Sequence, residues 1–252
     1  MRIVYLYNSG FALLHGNRAV VIDYYRDTPA RGKQGLAGGV VTLEDLQAYQ
    51  QVYVLSSHAH YDHFNPAVLG WQNARQGVKY IFSEDIRGSL KAADITPRIT
   101  FLRKGQGFND RNVEVKAYGS TDEGISFYIG TDGFSIFHAG DLNCWHWPEE
   151  STPEGIRQAI AQFEKEMEPV IREVQEPDIG FFPVDPRMVT DYDRGALYFA
   201  RLVRPRLLVP MHFRDSVSAP AAFAEKLRVP GVRVWPVAER GGSIVCEGEG
   251  RQ

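Results

Sequence analysis

The chain has only two cysteines, Cys144 and Cys246. That excludes a disulfide framework and any metal site built from four thiolates. It has no excess of positive charge: 28 Lys+Arg against 31 Asp+Glu leave a formal net charge of -3. Such a chain is not built to coat a phosphate backbone, so nucleic acid is not an expected partner. No stretch approaches the roughly 20 apolar residues that cross a bilayer, so no membrane partner is expected either. The opening 25 residues alternate like strands and lack the uninterrupted apolar run of a signal peptide, which makes the cytoplasm the expected location. There is no Walker loop, dinucleotide fingerprint or nucleophile-elbow pentapeptide. Gly35, Gly38 and Gly39 sit in a loop with no strand before it, so they do not make a phosphate cradle. Strong repeats, low-complexity segments and linker-like stretches are missing as well.

What is present is a chain of 252 residues, 44% hydrophobic and 12% aromatic. That suffices for a substantial core, and residues 1–252 read as one domain. Strands are expected at Ile3 to Tyr7, Ala12 to Leu14, Ala19 to Asp23, Val52 to Leu55 and Tyr80 to Phe82. Further strands follow at Ile99 to Leu102, Val113 to Ala117, Ile125 to Ile129 and Phe134 to Phe137. His15-Gly16-Asn17 turns the first hairpin, and Arg26 to Gly39 is a loop. Thr42, with Asp45 three residues on, caps a short helix to Tyr49. Asn65 before Pro66 starts another, from Val68 to Arg75, and Ser89 to Ala93 is a brief helical turn. Ile156, Ile160, Phe163, Met167, Val170 and Val174 recur every three or four residues, so the longest amphipathic helix lies there. Pro169 inside it predicts a kink or an interruption. Ile179 to Phe182, Leu207 to Val209, Val232 to Trp235 and Ser243 to Val245 are late strands. They alternate with helices over Ala196 to Val203 and Ala221 to Leu227. The pattern suits an α+β fold of two sheets with helices outside.

Three of the seven histidines fall within six residues, directly after a predicted strand: His58, His60 and His63, with Asp62 among them. Imidazole and carboxylate bind a borderline divalent cation such as zinc. In extended backbone, residues two apart share a side, so His58 and His60 can converge on one point. Asp62 and His63 lie just past the turn and can aim at a neighbouring one.

HAHYDH resembles the HxHxDH signature of the metallo-β-lactamase superfamily. FHAGDLN resembles that family's strand ending in Gly-Asp, and LLVPMHF its late strand ending in the final histidine. The hairpin ending in Ile22-Asp23 is similar to the family's N-terminal pattern. The resemblance covers essentially the whole chain. It implies a four-layer αββα sandwich of two mixed β-sheets with helices outside. It also implies that His58 and His60 belong to a first metal site, and Asp62 and His63 to a second. Asp141 would bridge both, and His212 would complete the second. The implied cofactor is one or two zinc ions per chain, with manganese, iron or nickel admitted by the same donors.

One departure stands out. The family supplies a further histidine where this chain has Ser120, and a serine hydroxyl is a much poorer zinc ligand. Three outcomes are open: an empty or weak first site, an oxygen ligand from Asp122 or Glu123, or His146 folding back. His138 lies inside the strand leading to Asp141 and reads either as a core residue or as one that supports a metal ligand from behind. Cys144 reads as a plain buried cysteine, and Trp145 and Trp147 as pocket wall or core. Asp185 after its strand could orient a metal-bound histidine or cap the next segment. Arg194, Arg201, Arg204 and Arg206 read as a solvated helix face and its exit. Arg240 carries more weight, as does Arg214, which lies two residues past His212 and could meet an anionic substrate.

The implied function is a metal-dependent hydrolase that uses a metal-bound hydroxide on a small lactone, ester or phosphoester. Asp62 and Asp141 are its expected catalytic residues. Motifs and short loops look most like the branch containing the ascorbate-phosphate lactonase. The alternatives are a di-iron redox enzyme of the same fold, or a catalytically lapsed metal-binding structural or regulatory protein. A homo-oligomer stays open.

Overall fold

The structure, a computed structural model, describes residues 1–74, 76–147 and 151–248. The chain divides into two compact units, Met1–Arg103 with Glu239–Gln252 and Lys104–Ala238. The first unit contains β1 (Arg2–Tyr7), β2 (Gly10–His15), β3 (Arg18–Ile22), α1 (Leu43–Gln47), β4 (Gln51–Ser56), α2 (Trp71–Ala74), β5 (Val78–Ser83) and β6 (Ile99–Leu102). The second contains β7 (Gly107–Asn109), β8 (Val113–Tyr118), β9 (Ser126–Thr131), β10 (Phe134–His138), α3 (Pro153–Glu173), β11 (Ile179–Pro183), α4 (Arg194–Leu202), β12 (Leu207–Met211), α5 (Ala219–Lys226) and β13 (Arg233–Val234). The chain then returns to the first unit, where β14 (Ser243–Val245) pairs antiparallel with β1.

Among the described residues each unit holds one mixed seven-stranded sheet, in the orders β14-β1-β2-β3-β4-β5-β6 and β13-β12-β11-β10-β9-β8-β7. The pairings run in the same sense in both. Three antiparallel pairs, from β14 to β3 and from β7 to β10, are followed by three parallel ones. The expected α+β class with two mixed sheets is therefore present. The parallel half of a sheet sends successive strands out at the same end, where loops converge and ligands bind.

In the first unit the central strands are apolar without alternation because both faces are covered. Val52 and Val54 of β4 join a cluster with Leu46, Val68, Trp71 and Phe82. Tyr53 and Leu55, facing the other way, are just as buried. The Thr42–Asp45 capping box forms as predicted, although α1 stops at Gln47. The helix expected over Val68 to Arg75 is instead a 3-10 turn, Pro66–Gly70, running into α2. Gly70, a poor helix former, sits at the join. Arg75 lies outside the described residues.

In the second unit α3 runs unbroken through Pro169, so of the expected kink or interruption the interruption does not occur. The helix buries Phe163, Met167 and Val170 along one stripe, and packing of such a stripe outweighs one lost hydrogen bond. The carbonyl that Pro169 leaves without a partner belongs to Lys165, on the exposed side. Phe199 of α4 stacks on Phe137 and Phe182, with ring centroids 5.2 and 4.8 Å away. Gly180 of β11 admits it: a Cβ there would stand 2.5 Å from the Phe199 ring.

Candidate metal centre

In the first unit β3 and β4 are parallel neighbours, with Ile22 beside Leu55. Asp23, one residue past β3, therefore stands beside Ser57, one residue past β4. Asp23 takes a left-handed turn, φ 46°, a conformation that aspartate tolerates better than most residues. Its Oδ1 accepts the Ser57 backbone N–H at 2.8 Å, and its Oδ2 lies 2.8 Å from both Ser57 Oγ and His63 Nδ1. Asp23, Ser57, His58 and His63 are all fully buried.

These contacts settle the tautomers. A carboxylate only accepts, so the Ser57 hydroxyl gives its single proton to Asp23. The 2.9 Å contact between Ser57 Oγ and His58 Nδ1 must then carry a proton from the histidine. His63 Nδ1 likewise donates to Asp23. Both rings keep the lone pair on Nε2, the atom a metal takes. His58 Nε2 faces His60 Nδ1 at 3.0 Å, a pair of ring nitrogens that one cation can share. Asp62 and His63 offer a carboxylate oxygen and a ring nitrogen within 4.8 Å of each other. Asp62 is held in turn by Asn8, whose Nδ2 donates to Oδ2 at 3.2 Å.

The second unit repeats the device. Its parallel register sets Pro183 beside Met211, so Asp185 and His212 leave β11 and β12 together. Asp185 Oδ2 accepts His212 Nδ1–H at 3.0 Å, which bares Nε2. That nitrogen stands 3.3 Å from Asp141 Oδ1. His212 sits at φ 62°, a conformation rare outside glycine that recurs at functional sites. Arg187 clasps Asp185 through Nε, at 3.0 and 2.9 Å, and through Nη2. Asp185 also accepts the Arg187 backbone N–H at 3.0 Å, so it orients a histidine and caps the next turn at once. Burial acts to raise its pKa, but the hydrogen bonds from His212 and Arg187 prevail and hold it at about 2.

The remaining predicted residues take less central places. Ser120 is half-buried and accepts the Asp122 N–H at 3.3 Å, while Asp122 and Glu123 are exposed. Next to it Thr121 ties down the loop after Asp141, with Oγ1 2.5 Å from Asn143 O. His146 is buried, its Nδ1 3.1 Å from the Cys144 carbonyl. Trp145 Nε1 donates to Asp141 O at 2.7 Å, and the ring packs edge-on to His212 with centroids 5.5 Å apart. Trp147 stacks on Trp145. His138 is a core residue whose Nδ1 accepts the Gly140 N–H. Burial pushes the Cys144 thiol up to about 11. Arg214 is half-buried beside the His212 segment.

Sequence reasoning missed four positioning residues: Asn8, Asp23, Ser57 and Arg187. Asp23 and Ser57 carried a weak signal, a polar residue at the end of an apolar strand. Their pairing depends on which strands become neighbours.

The donor set suits a divalent cation. Imidazoles with pinned tautomers and carboxylates stand together in buried surroundings, whereas a monovalent ion would need an oxygen cage. His58, His60, Asp62 and His63 in one unit, and Asp141 and His212 in the other, are of the type that holds zinc-like ions.

No protein-family profile matches the chain. Over 258 residues it is 22% identical to a UPF0173 metal-dependent hydrolase of Pelotomaculum thermopropionicum, covering 92% of this chain and 98% of that one. Its structure is similar to that of Igni18, a metallo hydrolase of Ignicoccus hospitalis, with a TM-score of 0.68 at 22% identity over 98% of each chain. It is similar, too, to the metallo-β-lactamase fold protein YhfI of Bacillus subtilis, with a TM-score of 0.59 at 11% identity over 96% of this chain and 98% of that one. Both structural likenesses extend over nearly the whole chain and show that it has the metallo-β-lactamase fold.

Proposed function

We propose that the protein adds water across a small lactone, ester or phosphoester at a centre of one or two divalent ions, zinc foremost. His58, His60, Asp62, His63, Asp141 and His212 would hold the metal, as parts of one domain spanning 1–252. The observation that carries the reading is the pinning of three imidazoles, His58, His63 and His212, by buried Asp23, Ser57 and Asp185. In each ring the hydrogen bond at Nδ1 leaves the lone pair on Nε2, which is the arrangement a metal ligand requires. A divalent ion in such a site lowers the pKa of a coordinated water toward neutrality and polarises the electrophile.

The protein's own residues do the rest. Asp62, held through Oδ2 by Asn8, would orient the attacking water and accept its proton. Asp141 contributes a carboxylate oxygen beside His212 Nε2. Trp145, packed on the His212 ring, shields that ligand from bulk water.

The test is hydrolysis of a panel: γ-butyrolactone, 4-nitrophenyl acetate and bis(4-nitrophenyl) phosphate, with metal content measured by elemental analysis. At least one class should turn over, stop on chelation and recover with added zinc. Asp141→Asn should lower the rate by about 10²-fold or more. Full activity in metal-stripped protein, or in Asp141→Asn, overturns the proposal.

A further inference from the structure

Three tyrosines in the first unit lead away from the histidine motif. Tyr61, between His60 and Asp62, is 64% exposed. It meets Tyr25 edge-on with ring centroids 5.7 Å apart, and Tyr25 lies 5.9 Å from Tyr7. Two guanidinium groups stand at the Tyr7 ring, Arg26 at 4.8 Å and Arg240 at 5.5 Å from its centroid. The next residue after Tyr7 is Asn8, which holds Asp62. Rings and cations thus adjoin the acidic end of the motif within one unit.

Two like charges meeting at one ring repel each other unless something negative joins them. Neither Arg26 nor Arg240 makes an ion pair with a carboxylate among the described residues. A cation–π contact contributes only about 0.5–1 kcal/mol at an exposed site and neutralises no charge. Arg240 is held in place rather than loose. Its Nε donates to Leu6 O at 2.9 Å and its Nη2 to Gly39 O at 3.1 Å, while Nη1 is left over. Burial first, and then the charge of Arg26, pull the Arg240 pKa below the ordinary guanidinium value. Arg26, by contrast, is exposed and reaches the ring from solvent. A fixed cation and an adjustable one beside a cluster of tyrosine rings suit an oxyanion on a small organic molecule.

We infer that Arg26 and Arg240, with Tyr7, Tyr25 and Tyr61, bind a carboxylate or phosphate group carried by the substrate apart from the bond that is cut. The inference rests on the hydrolase reading for what happens at the metal, and it narrows the substrate class to small anions. Both arginines act as specificity determinants rather than catalytic residues.

The test has two arms, both on metal-loaded protein. In the first, inorganic phosphate is titrated by calorimetry into the wild type, Arg26→Gln and Arg240→Lys. Phosphate at the metal alone would bind all three equally. The inference requires Kd to rise about tenfold or more in Arg26→Gln. Equal affinities, or no phosphate binding at all, overturn it whether or not the protein hydrolyses anything. In the second arm, the 4-nitrophenyl half-ester of succinic acid is compared with neutral 4-nitrophenyl butyrate. The ratio of kcat/KM, anionic over neutral, should exceed one and fall about tenfold in Arg26→Gln, chiefly through KM. It should also fall as ionic strength rises. A ratio that Arg26→Gln leaves unchanged overturns the inference while leaving the hydrolase reading intact. Loss of turnover on every ester sinks that reading and leaves the phosphate arm to decide this one. Because Arg26 is exposed, its glutamine variant should melt with the wild type.

Discussion

Asp23 Oδ2 lies 2.8 Å from Nδ1 of His63, and neither side chain exposes any surface. The same carboxylate reaches His58 through Ser57. In the second unit Asp185 and His212 stand in the same relation, at 3.0 Å. Both pairs arise where parallel strands leave a sheet side by side, and each unit has its own set of parallel strands.

Asp23→Asn exchanges an acceptor for a donor opposite His63. With one oxygen in place of two, the amide cannot serve the Ser57 N–H, the Ser57 hydroxyl and His63 Nδ1–H as the carboxylate does, so the pinning of the rings is disturbed. Metal affinity should fall about 10- to 100-fold, read by competition with a chromogenic chelator. Stability should fall by about 1–3 kcal/mol in urea, because buried donors are left unpaired. An unchanged metal affinity would show that His63 needs no anchor.

Asp185 has a folded pKa of about 2 against an ordinary 3.8. A depressed carboxyl stabilises the fold above the unfolded value and loses that contribution as pH falls through the folded one. About 2 kcal/mol should therefore be present above pH 4 and disappear toward pH 2. Measured with chelator present, the stability gap between wild type and Asp185→Asn should narrow over that interval. A gap that is constant with pH contradicts the assignment.

Cys144 is 1% exposed and its thiol is pushed up to about 11 by burial. At pH 8 only about one thiol in a thousand is ionised, and the sulfur is out of reach of reagents. Iodoacetamide should leave Cys144 unmodified in the folded protein and alkylate it in urea, as read by peptide mass mapping. Rapid labelling of the native protein would contradict this.

Gly180→Ala places a methyl group 2.5 Å from the Phe199 ring and 3.1 Å from Pro205 Cβ. α4 must shift or Phe199 must leave its stack on Phe182 and Phe137. A loss of about 1–3 kcal/mol is expected in urea denaturation. A neutral effect would mean that α4 yields without cost.

Much of the molecule was legible in the sequence. The HAHYDH, FHAGDLN and LLVPMHF segments stood out because histidines and aspartates sit directly after apolar runs. The Thr42 cap and the amphipathic stripe of α3 were readable for the same local reason. The continuity of α3 through Pro169 was not, since it depends on what the stripe packs against. The short strand β7 escaped notice because three residues carry too little periodicity to register.

The sequence by itself determined the class of chemistry: imidazoles and carboxylates at strand ends, no thiolate cluster and no excess of positive charge. Spacing along the chain sufficed for that, because strand and turn preferences act over a few residues. Only the tertiary structure decided which atoms of those residues are presented. Asp23 and His63 are 40 positions apart, and Arg26 and Arg240 are 214 apart. Strand order and chain return bring them together, and no local preference encodes either.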